Sequence, residues 1–175
     1  MKVNFSRLNK EKNPAYYSIV EEYNEIIDSL NPVRKKVFDF RIPEIQFLNM
    51  SIPLITPFNK LKYRKELSKI GSQVEKLQSK YIKWNKRAWE FCDSPRYVLT
   101  ADNDFNNALK MQHYNAFLLG LINQLNADIS LLVSDYNLRY SEVENTANYW
   151  LSTTAWLLTF VALIVSLYSL YLVSC

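Results

Sequence analysis

The stretch "STTAWLLTFVALIVSLYSLYLVSC", Ser152 to Cys175, carries no charged side chain, and the last charge before it is Glu144. A helix rises about 1.5 Å per residue, so Ala155 to Val173 would cover roughly 28 Å, close to a hydrocarbon core. Tyr149, Trp150 and Trp156 stand at one end, with Tyr168 and Tyr171 near the other. Such rings favour the two membrane interfaces. A buried core helix of this length would keep a polar side for solvent, and here the only polar groups are hydroxyls. The expectation is one transmembrane helix over 149–175 and a cytosolic helical domain over 1–148. The opening "MKVNFSRLNKEKNP" has charge but no apolar core of a signal peptide. That layout predicts a tail-anchored, single-pass protein of the inner (cytoplasmic) membrane with its N-terminal domain in the cytosol.

At helical spacing, Ser152, Ala155, Thr159, Ala162, Ser166 and Ser169 fall at alternating steps of three and four. Asn145 and Asn148 extend the series upstream. Between Ala155 and Val173 every Ala, Ser and Thr lies on this stripe, and the rest are Leu, Ile, Val, Phe, Trp or Tyr. Steps averaging 3.5 keep one face toward a partner, and small residues let membrane helices approach closely. The stripe is therefore a candidate helix-packing or pore-lining face. A lone anchor whose small residues share a face by chance is the plainer reading. Within self-association, a dimer or trimer would bury the stripe, and a larger ring would turn it toward a water-filled lumen.

Upstream composition points to long helices. The chain has only two glycines, Gly71 and Gly120, against a usual share near 7%. That excludes Gly-rich phosphate loops and most tight hairpins. Cys92 and Cys175 do not make a disulfide framework. Asn13-Pro14 is a helix start, with Asn as N-cap and Pro in the first turn. Tyr16, Ile19, Tyr23, Ile26 and Leu30 then recur at helical steps, and Asn31-Pro32 is expected to break the run. From Val33 to Phe58 the pattern is irregular. "FLNMSIPLITPF" (47–58) reads as a buried loop over a helical core, with partner docking as the alternative.

Leu67, Ile70, Val74, Leu77, Tyr81, Trp84, Ala88 and Phe91 again alternate steps of three and four. This heptad seam predicts a helix from Asn59 to Phe91. Between Phe58 and Glu90 there are ten basic and three acidic residues, while the rest of the chain is net −3. Lys62, Lys69, Lys76, Lys80, Lys83 and Arg87 form the candidate basic contact face. Thr100 or Asp102 can cap a last helix carrying Leu118, Ile122, Leu125, Ile129, Leu132, Tyr136, Tyr140, Val143 and Ala147. It is expected to run without a break into the membrane, with a bend at Gly120. Val143 and Ala147 are out of phase with Asn145 and Asn148, which predicts a kink or twist near Asn145 if both seams are used. The fold class is thus all-α: a long-helix cytosolic bundle continuing into one C-terminal transmembrane helix.

Catalytic signals are missing. His113 is the only histidine, with no companion ligand at zinc spacing. No Arg lies four to six residues before it, as the HEPN ribonuclease pattern requires. "DNDFNNALKMQH" (102–113) begins like a calcium loop but has Asn107 in place of the turn glycine and His113 in place of the bidentate acid. Asp93 and Asp102 have nothing around them that marks an acid–base pair. The expectation is a non-enzymatic protein with no catalytic residues, metal or cofactor. The basic face reads as a solvated surface, a contact for anionic headgroups, or an RNA stripe whose aromatics Tyr63, Tyr81 and Trp84 lie on the apolar seam instead.

In size, helical character, single span and self-associating membrane face, the chain resembles the small membrane accessory proteins of type VI-B CRISPR loci. The resemblance is one of layout and covers the whole chain without a motif. It implies a cyclic homo-oligomer forming an inner-membrane pore that strengthens antiviral defence by depolarisation. From the residues themselves, the expected partners are membrane lipids and further copies of the chain. The alternative is an adaptor that tethers a cytosolic protein or an RNA to the membrane.

Overall fold

A computed structural model describes residues 13–47, 50–53, 59–94 and 104–174. Its elements in chain order are α1 (Pro14–Asp39), β1 (Glu44–Phe47), β2 (Met50–Pro53), α2 (Lys60–Asp93) and α3 (Asp104–Ser174). The fold is all-α as expected, with one short hairpin added between α1 and α2. The last helix is apolar enough at its C-terminal end to be a membrane span.

α1 starts where Asn13-Pro14 says it should. The Asn13 carbonyl accepts from the Tyr17 N–H at 3.2 Å, and Asn13 itself is buried. The expected break at Pro32 does not occur, because α1 continues to Asp39 with Pro32 inside it. An interior proline removes one helical hydrogen bond and costs on the order of 3 kcal/mol. Pro32 and Asp28, one turn back, both face solvent, where water can stand in for the missing N–H. Beyond the proline, Val33 and Val37 are buried, and Arg34 pairs with Asp128 at 2.8 Å. Tertiary anchoring on both sides of Pro32 outweighs the local cost.

The 33–58 region is also more regular than its pattern. β1 and β2 pair antiparallel, from Glu44 opposite Pro53 to Phe47 opposite Met50. Pro53 terminates the second strand, a position where a missing N–H is tolerated. The 47–58 loop expectation is corrected at Phe47 and at 50–53, which are strand. Its remaining residues lie outside the described ones.

α2 matches its heptad reading closely. Lys62 N–H bonds to the Asn59 carbonyl at 3.0 Å to open the helix. α3 is a single helical element of 71 residues that passes Gly120 and Asn145. Its proposed caps, Thr100 and Asp102, lie outside the described residues, as does Cys175.

The chain packs as two compact units. Unit 1 comprises Met1–Asp39 and Ile70–Tyr136, and unit 2 comprises Phe40–Lys69 and Asn137–Cys175. These units cut the chain differently from composition, which separates 1–148 from 149–175. Unit 1 holds a three-helix core in which Tyr16, Tyr23, Trp84, Leu118, Leu125 and Leu132 are all but sealed from solvent. The Trp84 indole N–H donates to the Ile19 carbonyl at 2.6 Å, and its ring lies 5.8 Å from Tyr23. Gly71 permits a close approach there: a Cβ at this position would sit 2.4 Å from the Tyr136 hydroxyl. In unit 2, Leu67 and Val143 are fully buried, and Phe40 meets Tyr63 edge-on at 6.4 Å.

Candidate membrane segment and contact faces

Among the described residues, α3 is the one helix long and apolar enough to cross a membrane. Its most apolar 18-residue window has a mean hydropathy of 1.8, and none of that window is buried in the protein. Trp156 is 75% exposed, Leu158 71% and Leu170 64%. A contiguous apolar surface of this extent is not stable in water and needs a bilayer or a partner. The helix therefore points to membrane association.

Every stripe residue is exposed: Asn145, Asn148, Ser152, Ala155, Thr159, Ala162, Ser166 and Ser169. Three of its hydroxyls turn inward on the helix. Thr159 Oγ1 donates to the Ala155 carbonyl at 2.9 Å, Ser166 Oγ to Ala162 at 2.8 Å, and Ser169 Oγ to Val165 at 2.9 Å. An unbonded hydroxyl in hydrocarbon would cost several kcal/mol. Back-bonding removes that cost, so these hydroxyls need neither water nor a polar partner. What the stripe offers a neighbouring helix is small volume.

The segment just before it is pinned within unit 2. Lys60 Nζ lies 2.5 Å and Arg64 Nε 2.8 Å from the Glu144 carboxylate, and Arg64 Nη2 donates to the Tyr140 hydroxyl at 3.1 Å. The hydrogen bond to Tyr140, then the Glu144 charge, raises the Arg64 guanidinium above its ordinary value. Sequence reasoning missed this clamp. Its partners are about 80 positions apart, and no local spacing links them. Nearby, Arg139 Nη1 pairs with Glu142 at 2.9 Å, and with Arg41 and Glu44 they edge a groove of about 550 Å³.

The basic face is exposed at all six positions: Lys62 and Lys69 in unit 2, Lys76, Lys80, Lys83 and Arg87 in unit 1. It is not uniformly basic. Arg87 binds the Glu22 carboxylate and lies 3.3 Å from the Ser18 hydroxyl. Glu22 and Glu25 share a groove with Lys80 and Lys83. Those acids dilute the positive field over the unit 1 part of the face. The aromatics of the seam behave as core: Trp84 is buried, and Tyr81 is half-buried with its hydroxyl on Asn126 at 3.0 Å. Neither presents an open ring for base stacking.

Elsewhere, burial and then the Asp93 charge push the Cys92 thiol up, away from the thiolate a nucleophile needs. His113 is exposed on α3 beside the Tyr114 ring. No family model matches the chain, and neither the curated proteins nor the solved structures hold a match to it.

Proposed function

We propose that this chain is a non-enzymatic membrane protein that assembles with copies of itself through the Ser152–Ser169 face of α3. One observation carries the reading: an exposed apolar helix whose small residues from Ala155 to Ser169 share a face, with the hydroxyls of Thr159, Ser166 and Ser169 satisfied internally. Close approach gains dispersion contacts, and the hydroxyls of Thr159, Ser166 and Ser169 need not be desolvated to reach it. In a small oligomer the face is sealed. In a ring large enough to leave a lumen it lines a pore, and the layout-level resemblance to type VI-B accessory proteins then translates into depolarisation of an inner membrane during antiviral defence.

The mass of the purified full chain in detergent tests the assembly, and ion leak from loaded vesicles tests the pore. Ala162→Leu adds bulk on the face, and Ile164→Ala changes the other side of the helix, where Ile164 is exposed. The first should lower the oligomer mass, and the second should leave it unchanged. A monomer before any substitution, or equal effects from both, would reduce α3 to an anchor. A monomeric anchor is also what an adaptor requires. That second reading draws on Lys62, Lys76, Lys80 and Lys83, which are exposed and have no ion partner among the described residues.

A further inference from the structure

The stripe does not end at Asn145. Continuing its alternating steps upstream within unit 2 gives Ser141 and Leu138, both exposed, and Leu138 is 55% exposed although it lies outside the apolar segment. As a heptad, Leu138, Asn145, Ser152, Thr159 and Ser166 occupy position a, and Ser141, Asn148, Ala155, Ala162 and Ser169 occupy position d. Val143 then falls at f, two residues before Asn145 and so about 200° around the helix. Val143 is fully buried. Core face and outer seam thus occupy opposite sides of α3, and both can be used without any kink at Asn145.

We propose that the Leu138–Asn148 face docks against the same face of a second copy of this chain, parallel and in register. The inference rests on the self-assembly reading and extends the contact beyond the apolar segment. A seam of 3.5-residue period stays on one side of the helix, so copies that meet at Ser152–Ser169 also bring Leu138–Asn148 together. Two copies anchored in one membrane with the same orientation are necessarily parallel.

The flanking charges permit this pairing. In a parallel pair, position g of one helix faces position e of the next heptad on the other. Here those pairs are Asn137 with Glu142 and Glu144 with Tyr149, so no acid faces an acid. Both acids are also neutralised within their own chain, Glu142 by Arg139 and Glu144 by Lys60 and Arg64. Asn145 and Asn148 supply the register. A side-chain amide carries both donor and acceptor, so each can bond its own copy across the seam, and a shift in register would leave them unmatched. Leu138 supplies the apolar contact that water would otherwise meet.

Disulfide trapping in the full chain tests it. In a Cys92→Ser, Cys175→Ser background, Leu138→Cys and Ser141→Cys are made singly, with Ser152→Cys as the membrane-segment comparison and the exposed Ser79→Cys on α2 as the collision control. After mild oxidation in phosphatidylcholine–phosphatidylglycerol vesicles, covalent dimer is read on a non-reducing gel. The expected result is several-fold more dimer from Leu138→Cys and Ser141→Cys than from Ser79→Cys. Efficient trapping at Ser152→Cys with only collision-level dimer at 138 and 141 overturns the extended seam and leaves self-assembly standing. Collision-level dimer at all positions, with a monomeric mass in detergent, removes both readings.

Discussion

Two stretches of α3 make an instructive pair. From Leu118 to Leu132, Leu118, Leu121, Ile122, Leu125, Ile129 and Leu132 are buried, while Gln124, Ala127 and Leu131 face out. From Ala155 to Leu170 every residue is exposed. Both stretches are rich in leucine and isoleucine. What separates them is arrangement around the helix axis. An apolar stripe on one side finds its partner inside the protein. An apolar surface on all sides finds no such partner here, since every residue from Ala155 to Leu170 is exposed, and it is left to meet lipid or other chains.

The comparison breaks first at Trp84. Trp84→Ala removes a sealed side chain and its hydrogen bond to Ile19, and should destabilise unit 1 by about 3–5 kcal/mol. Leu163→Ala, which also deletes a large apolar side chain, should leave the chemical-denaturation midpoint of unit 1 unchanged, because Leu163 is 55% exposed and packs on no core. Similar losses from both, followed by near-UV circular dichroism in detergent, would erase the distinction drawn between the two stretches.

The two glycines sharpen it further. Gly71→Leu must displace the Tyr136 ring, and overpacking of this kind costs about 1–3 kcal/mol. Gly120 is exposed, and a Cβ added there would meet nothing within 4 Å, so Gly120→Ala should stabilise the helix by about 0.5–1 kcal/mol. Opposite shifts in melting temperature are expected. A rise in melting temperature for both would mean that the close contact at Gly71 is not a constraint on the fold, and a fall for both would mean that the space around Gly120 is not open.

Alkaline titration should give the smallest effect, and it is confined to unit 1. Burial raises Tyr16, Tyr23, Tyr81 and Cys92 above their ordinary values, with charge from Tyr114 adding at Tyr16 and from Asp128 at Tyr23. The fold therefore favours their protonated forms. Their contribution is fully present below the unfolded values, 9.0 for the thiol and 10.0 for the phenols, and is lost as the pH rises past them. The denaturation midpoint should hold from neutrality to about pH 8.5 and decline above it. Tyr81 and Cys92 add little because they are only half-buried and solvent screens them, so the sealed Tyr16 and Tyr23 carry most of the decline. A midpoint that rises through this range would contradict the burial of these groups.

Much of this fold was legible in the chain because helices write their contacts locally. The seam from Leu67 to Phe91 is buried or half-buried at all eight positions. Asn13 and Asn59 stand at helix starts, where their backbone carbonyls accept from Tyr17 and Lys62. The run after Glu144 points to a membrane-type surface by its length and its lack of charge, and its exposure in the structure agrees. Pro32 misleads a local reading for a physical reason. Local rules count the lost hydrogen bond, but the compensation comes from Val33, Val37 and the Arg34–Asp128 pair, whose far partner lies 94 positions away.

The sequence by itself determined the three long helices, the one apolar segment and the face on which its small residues gather, because each depends on neighbours three or four positions apart. Only the tertiary structure decided that α1 survives its proline, that Gly71 makes room for Tyr136, and that Lys60 and Arg64 clamp Glu144. It also decided that Val143 is buried while Asn145 and Asn148 are exposed. These depend on which residues distant in the chain come within a few ångströms, and helical periodicity carries no record of that.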